Sequence, residues 1–197
     1  MTTNRLEAFS DGVIAIIITI SVLQMTAPAG AHLSDLRLVW PVFLSYVLSF
    51  VYLGIYWNNH HHMLSVTERV TGGILWANLD LLFWLSLVPF VTGWMGRNRF
   101  APTPTALYGC VLLLAAIAYF VLQRTIMANQ GERSILAKAV GRDVKGKMSP
   151  PIYAAAIPLA FVSPWISLAL YWLVAVIWLV PDRRIERVVA AREERAE

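Results

Sequence analysis

Charge is scarce in this sequence. Of its 197 residues, 14% are charged and 58% are apolar, whereas soluble domains carry about 25% charged residues. That shortage argues against an ordinary water-soluble domain. Cysteine is nearly missing too. Cys110 stands alone, so an internal disulfide framework and a cysteine-based metal cluster are both excluded. Set in an apolar run, it reads as a small packing residue. There is no TVGYG-type filter, no arginine-repeat voltage sensor, no phosphate-binding glycine-rich loop and no Ser-His-Asp arrangement. The first apolar run lacks a positive leader and a small-residue cleavage site, and is expected to stay as a spanning helix.

What is present is a series of long apolar runs. A spanning helix needs about 20 apolar residues. The charge-poor stretches predict helices over 6–25, 38–59, 70–95 and 105–123. The last apolar block, 148–181, would be about 50 Å long as one helix, against a hydrocarbon core of about 30 Å. Two short helices, 149–163 and 165–181, with a turn at Ser163-Pro164, fit better. Six spans place thirteen of the sixteen basic residues on one side and leave Arg37, Arg97 and Arg99 on the other. The positive-inside rule then puts both termini in the cytoplasm. The expected class is a single all-α integral membrane domain over 1–197, multi-pass in the cell membrane. Residues 124–148 are expected as a basic cytoplasmic linker, and 182–197 as a solvated tail of mixed charge. Trp40, Trp57 and Trp94 suit interfacial anchors.

Polar residues inside such spans are the natural candidates for function. Helix one opens with Arg5, Glu7, Ser10 and Asp11 before a run of isoleucines. These charges are either helix-end decoration, favoured by the dipole, or a polar lock. At membrane depth a charge needs a partner, which would be within helix one, on a neighbouring subunit, or among the histidines that end helix two. Ile16, Ile20 and Leu23 fall at i, i+4 and i+7 on one helix face, with Thr19 beside them. The stripe is either helix packing or, in a symmetric oligomer, a hydrophobic ring that gates by dewetting. His60, His61 and His62 end helix two. Three adjacent histidines point around a helix and cannot share one ion, so a metal would need Asp11 or Asp80 as well. No metal site is expected, and hydrogen bonding or pH sensing is the favoured role. Asp80 lies about 15 Å into helix three and is a structural acid or an ion or proton site.

Arg5-x-x-x-Phe9-Ser10-Asp11, opening the first span, resembles the signature of the transmembrane protein 175 family, the lysosomal potassium channel and its bacterial relatives. Trp57-x-x-His60 at the end of the second span, Asn78-Leu79 within the third and Val88-Pro89-Phe90 near its end extend the resemblance over the first three helices. It implies a homotetramer of six-helix subunits in a bacterial plasma membrane, with helix one lining the pore. It also implies a constriction at Ile16, then Ile20 and Leu23, with Thr19 as a polar layer. Arg5, Phe9, Ser10, Asp11, Trp57 and His60 would form the interhelix network. Two departures stand out: Asp80 replaces an expected apolar residue, and His61 and His62 extend a single family histidine.

The resulting expectation is a potassium-preferring cation channel, not an enzyme. It needs no cofactor beyond the permeant K+. Its partners are other copies of itself, monovalent cations and lipid, with no nucleic acid. The alternative is a proton channel or proton-coupled transporter using Asp80 and His60, His61 and His62.

Overall fold

The computed structural model describes residues 2–130 and 144–179, and all regular structure among them is helical. Helix α1 spans Thr3–Val22. A single 3-10 turn, Leu33–Asp35, leads into α2, Leu36–Ser65. Then come α3 (Gly72–Ser86), α4 (Val88–Arg97), α5 (Pro102–Gln130), α6 (Val144–Leu159) and α7 (Pro164–Leu179). Three stretches among the described residues are long and apolar enough to cross a bilayer: Leu33–Ser65, Gly72–Arg97 and Pro102–Gln130. Pro164–Leu179 is apolar but shorter.

Several boundaries differ from the sequence reading, each for a local reason. The stretch expected as one helix over 70–95 is broken at Leu87, between α3 and α4. Pro89 has no N–H to bond the carbonyl of residue 85, and its ring clashes there. The chain takes a tighter turn instead, with Leu87 N–H donating to Trp84 O at 3.3 Å. Helix α2 continues six residues past Asn59, because Met63 and Leu64 are still buried. Helix α5 runs on from Gln123 to Gln130, burying Ile126, while the Arg124 guanidinium lies 4.9 Å from the Phe120 ring centre. Helix α6 already begins at Val144. The basic linker is therefore shorter than the expected 124–148; residues 131–143 and the tail 182–197 lie outside the described residues. Helix α7 opens on Pro164, where a missing N–H costs nothing.

The core is the surface shared by α5 with α3, α4, α6 and α7, and by α2 with α1, α4 and α7. Close approach depends on small residues. A Cβ on Gly96 would stand 2.6 Å from the Val42 Cα, so α4 meets α2 backbone to backbone at that point.

Polar groups inside this apolar bundle are bonded to one another, as they must be away from water. Thr92 donates to Val88 O at 2.6 Å, so Ser49 donates to Thr92 Oγ1 at 2.6 Å and the Tyr108 hydroxyl to Ser49 at 3.1 Å. Tyr153 donates to the Tyr52 hydroxyl at 3.1 Å, Tyr52 to Tyr171 O at 2.6 Å, and Tyr171 to Thr105 O at 3.1 Å. This relay joins α2, α4, α5, α6 and α7 into one block. Against it α1 presents only one face.

Candidate functional site

Helix α1 is two-sided. Leu6, Ser10, Ile14, Ile17 and Ser21 form its buried face, at spacings of three and four that keep them on one side. The opposite side carries Ile16, Ile20 and Leu23, which are 58%, 43% and 75% exposed. Thr19 is exposed among them. Its hydroxyl donates to Ile16 O at 2.9 Å, so its oxygen lone pairs are what it offers outward. Leu23 is the C-cap of α1. An open groove of about 480 Å³ borders the stripe, between Val13, Ile16 and Ile20 of α1 and Pro89 and Phe90 of α4.

The chain thus spends isoleucine, leucine and threonine on a surface that none of the described residues covers. The apolar part of α1, from Gly12 to Val22, is only about 17 Å long at 1.5 Å per residue. The first half of α1 carries Arg5, Glu7 and Asp11.

The partners of that half come from α2 and α3. Asn78 donates through Nδ2 to Ser10 Oγ at 3.0 Å, and His60 Nε2 lies 2.7 Å from Asn78 Oδ1. Ser10 donates in turn to Leu6 O at 2.9 Å. Because the Ser10 proton is committed, Ser10 can only accept from Asn78. The amide orientation follows, and with it the His60 tautomer: Nε2 carries the proton. His60 Nδ1 is buried without a hydrogen-bond partner among the described residues. His60, Asn78 and Ser10 are all buried, so this relay stitches α2, α3 and α1 together.

A second, half-exposed pair of contacts runs alongside. Trp57 Nε1–H donates to Asp11 Oδ1 at 3.1 Å. His61 Nδ1 lies 2.7 Å from Glu7 Oε1. Trp57 and His61 are one turn apart on α2, and Asp11 and Glu7 one turn apart on α1. Two antiparallel helices thus face each other rung by rung.

The structure brings together Ser10, Asp11, Trp57 and His60 of the expected network and adds Asn78, Glu7 and His61. Arg5 and Phe9 are exposed and take no part in this network among the described residues. In the sequence Asn78 stood out as a polar residue in an apolar helix and as part of the Asn78-Leu79 resemblance, but without an assigned partner. Asp80 is exposed on α3, with Trp76, Leu79 and Phe83 on the same side. Two residues along a helix turn it by about 200°, so Asp80 points opposite Asn78 and away from His60. Among the described residues Asp80 and the histidines are not grouped into one proton pathway.

Comparison with known proteins gives consistent likenesses. The family profile of the endosomal/lysosomal potassium channel TMEM175 matches residues 5–89. A potassium channel of a Chryseobacterium species is 50% identical over 187 residues, covering 95% of this chain and 97% of that one. A potassium channel of Chamaesiphon minutus is 30% identical over 188 residues, covering 88% and 92%. The crystal structure of a lysosomal potassium-selective channel TMEM175 homolog from Chamaesiphon minutus superposes with a TM-score of 0.80 at 28% identity, covering 91% of this chain and 97% of that chain.

Proposed function

The chain belongs to the TMEM175 family, and from that premise we propose that it is a potassium-preferring cation channel of the bacterial plasma membrane whose pore is lined by α1. Four six-span subunits would assemble around a common axis, with Ile16, Ile20 and Leu23 as stacked apolar rings about 6 Å and 4.5 Å apart along the helix. The single observation that carries this reading is the bare stripe on α1: apolar, regular in spacing, and opposite a face locked into the subunit. A neighbouring copy also accounts for the groove between α1 and α4.

An apolar ring offers no ligands to replace an ion's hydration shell. It closes by excluding water and conducts only when widened enough for hydrated ions to pass. The Thr19 oxygens add an acceptor layer between the Ile16 and Ile20 levels. The Ser10-Asn78-His60 relay and the Trp57-Asp11 contact hold α1 at its cytoplasmic half, so they set the register of the rings. K+ is the cargo, and no cofactor enters the reading.

The test is potassium flux from liposomes together with single-channel recording of Ile16→Asn. A polar ring wets the constriction, so conductance rises or selectivity weakens. No change in either argues against Ile16 as the narrow point. Mass measurement in mild detergent should give about four times the 22.1 kDa of one chain.

A further inference from the structure

We propose that Glu7, Asp11 and His61 form a site for a divalent transition-metal ion of the zinc class, which clamps the start of α1 to the end of α2. One donor atom from each of the three residues lies within 4.8 Å of the others. Donors on a tetrahedral zinc ion stand about 3.3 Å apart, so small side-chain rotations bring the set to bonding distance without moving either helix. The closest pair, His61 Nδ1 and Glu7 Oε1, is already 2.7 Å apart.

The donor chemistry selects the ion. One imidazole with two carboxylates suits zinc and its neighbours, whereas magnesium and calcium require shells made of oxygen. The surroundings resemble the support that metal ligands need. The Trp57 indole N–H fixes Asp11 Oδ1 at 3.1 Å, which leaves the other carboxylate oxygen for a cation. The Trp57 ring also stacks on His61 with centres 6.3 Å apart. The His61 and Glu7 side chains are 47% and 21% exposed, so the set is not closed off by the described residues. Three protein ligands leave an open position for water.

The consequence for conduction rests on the reading of α1 as the pore helix. If the rings must widen for ions to pass, an ion bridging α1 to α2 resists that movement and lowers flux. The binding claim does not depend on that reading.

The test is calorimetric titration of zinc chloride into the full-length chain in detergent, with magnesium chloride as control. Zinc should bind the wild type and magnesium should not compete. His61→Ala and Glu7→Gln should each weaken zinc binding more than tenfold, and Trp57→Phe about tenfold. Zinc should raise the melting temperature of the wild type but not of His61→Ala. Absent zinc binding, or binding untouched in both His61→Ala and Glu7→Gln, overturns the site. In liposomes zinc should reduce wild-type potassium flux and leave His61→Ala flux unchanged; binding without loss of flux overturns the clamp. A chain that binds zinc but passes no potassium contradicts the channel reading instead.

Discussion

Replacing Asn78 by leucine probes the joint on which the placement of α1 depends. Leucine has the same branched shape but a larger volume, so the change removes polarity, leaves no cavity and adds some overpacking. Two hydrogen bonds disappear, the 2.7 Å contact to His60 and the 3.0 Å contact to Ser10. Inside a membrane bundle each is worth about 0.6 kcal/mol, since a chain unfolded in lipid also finds partners. The larger effect is what remains. His60 Nε2–H is left buried without an acceptor beside an Nδ1 that already has none, at a cost of about 1 kcal/mol or more. Asn78→Leu should therefore destabilise by at least about 2 kcal/mol, with overpacking added. Ser10→Ala should cost about 1.5 kcal/mol, because it removes one bond between helices and strands one buried Asn78 N–H. The double variant Asn78→Leu with His60→Leu should cost less than the sum of its parts, since removing both partners removes the stranded group. Equilibrium unfolding in mixed micelles measures all of these. Strict additivity in the double variant would refute the directional relay.

Other perturbations should separate structural from conducting residues. Asp80→Asn should leave potassium flux unchanged within a factor of about two, since Asp80 faces away from the α1 network; loss of flux in liposomes would return Asp80 to the pathway. Gly96→Ala should destabilise by about 1–3 kcal/mol, because the new methyl meets the Val42 backbone and overpacking has no flexible neighbour to absorb it; unfolding in micelles reports it. Trp57→Phe should cost less than about 1 kcal/mol, because both Trp57 and Asp11 are solvent-accessible, yet it should shift single-channel conductance by loosening the register of α1.

Much of the fold was legible from the sequence because the bilayer imposes length and apolarity, which composition reveals directly. The ends were less legible. Residues 124–130 read as polar linker, yet every fourth side chain there keeps a partner: Ile126 is buried and Gln130 donates to Val66 O at 3.1 Å. The break at Leu87 was written in Pro89, but the uninterrupted apolar run around it concealed a helix boundary. At the site, the i, i+4, i+7 stripe of α1 was legible as a face, while which way it pointed depended on packing. The pairing of Glu7 with His61 was hidden because it joins residues 54 positions apart through the antiparallel register of α1 and α2. The tyrosine relay left a signal that could have been used: tyrosines at buried positions of apolar helices, such as Tyr52, Tyr108 and Tyr171, must hand their hydroxyls to something.

The central claim is that the bare stripe of α1 faces the ion path. Thiol modification tests it most directly. In a Cys110→Ala background, single cysteines at Ile16, Thr19, Ile20 and Leu23 are exposed to a water-soluble, charged thiol reagent while potassium flux is recorded from liposomes. Modification should block flux at these positions, with cysteines at Phe83 and Trp76 on the outer side of α3 as insensitive controls. Block at the α3 positions, with flux untouched when the α1 cysteines are demonstrably modified, would contradict the account.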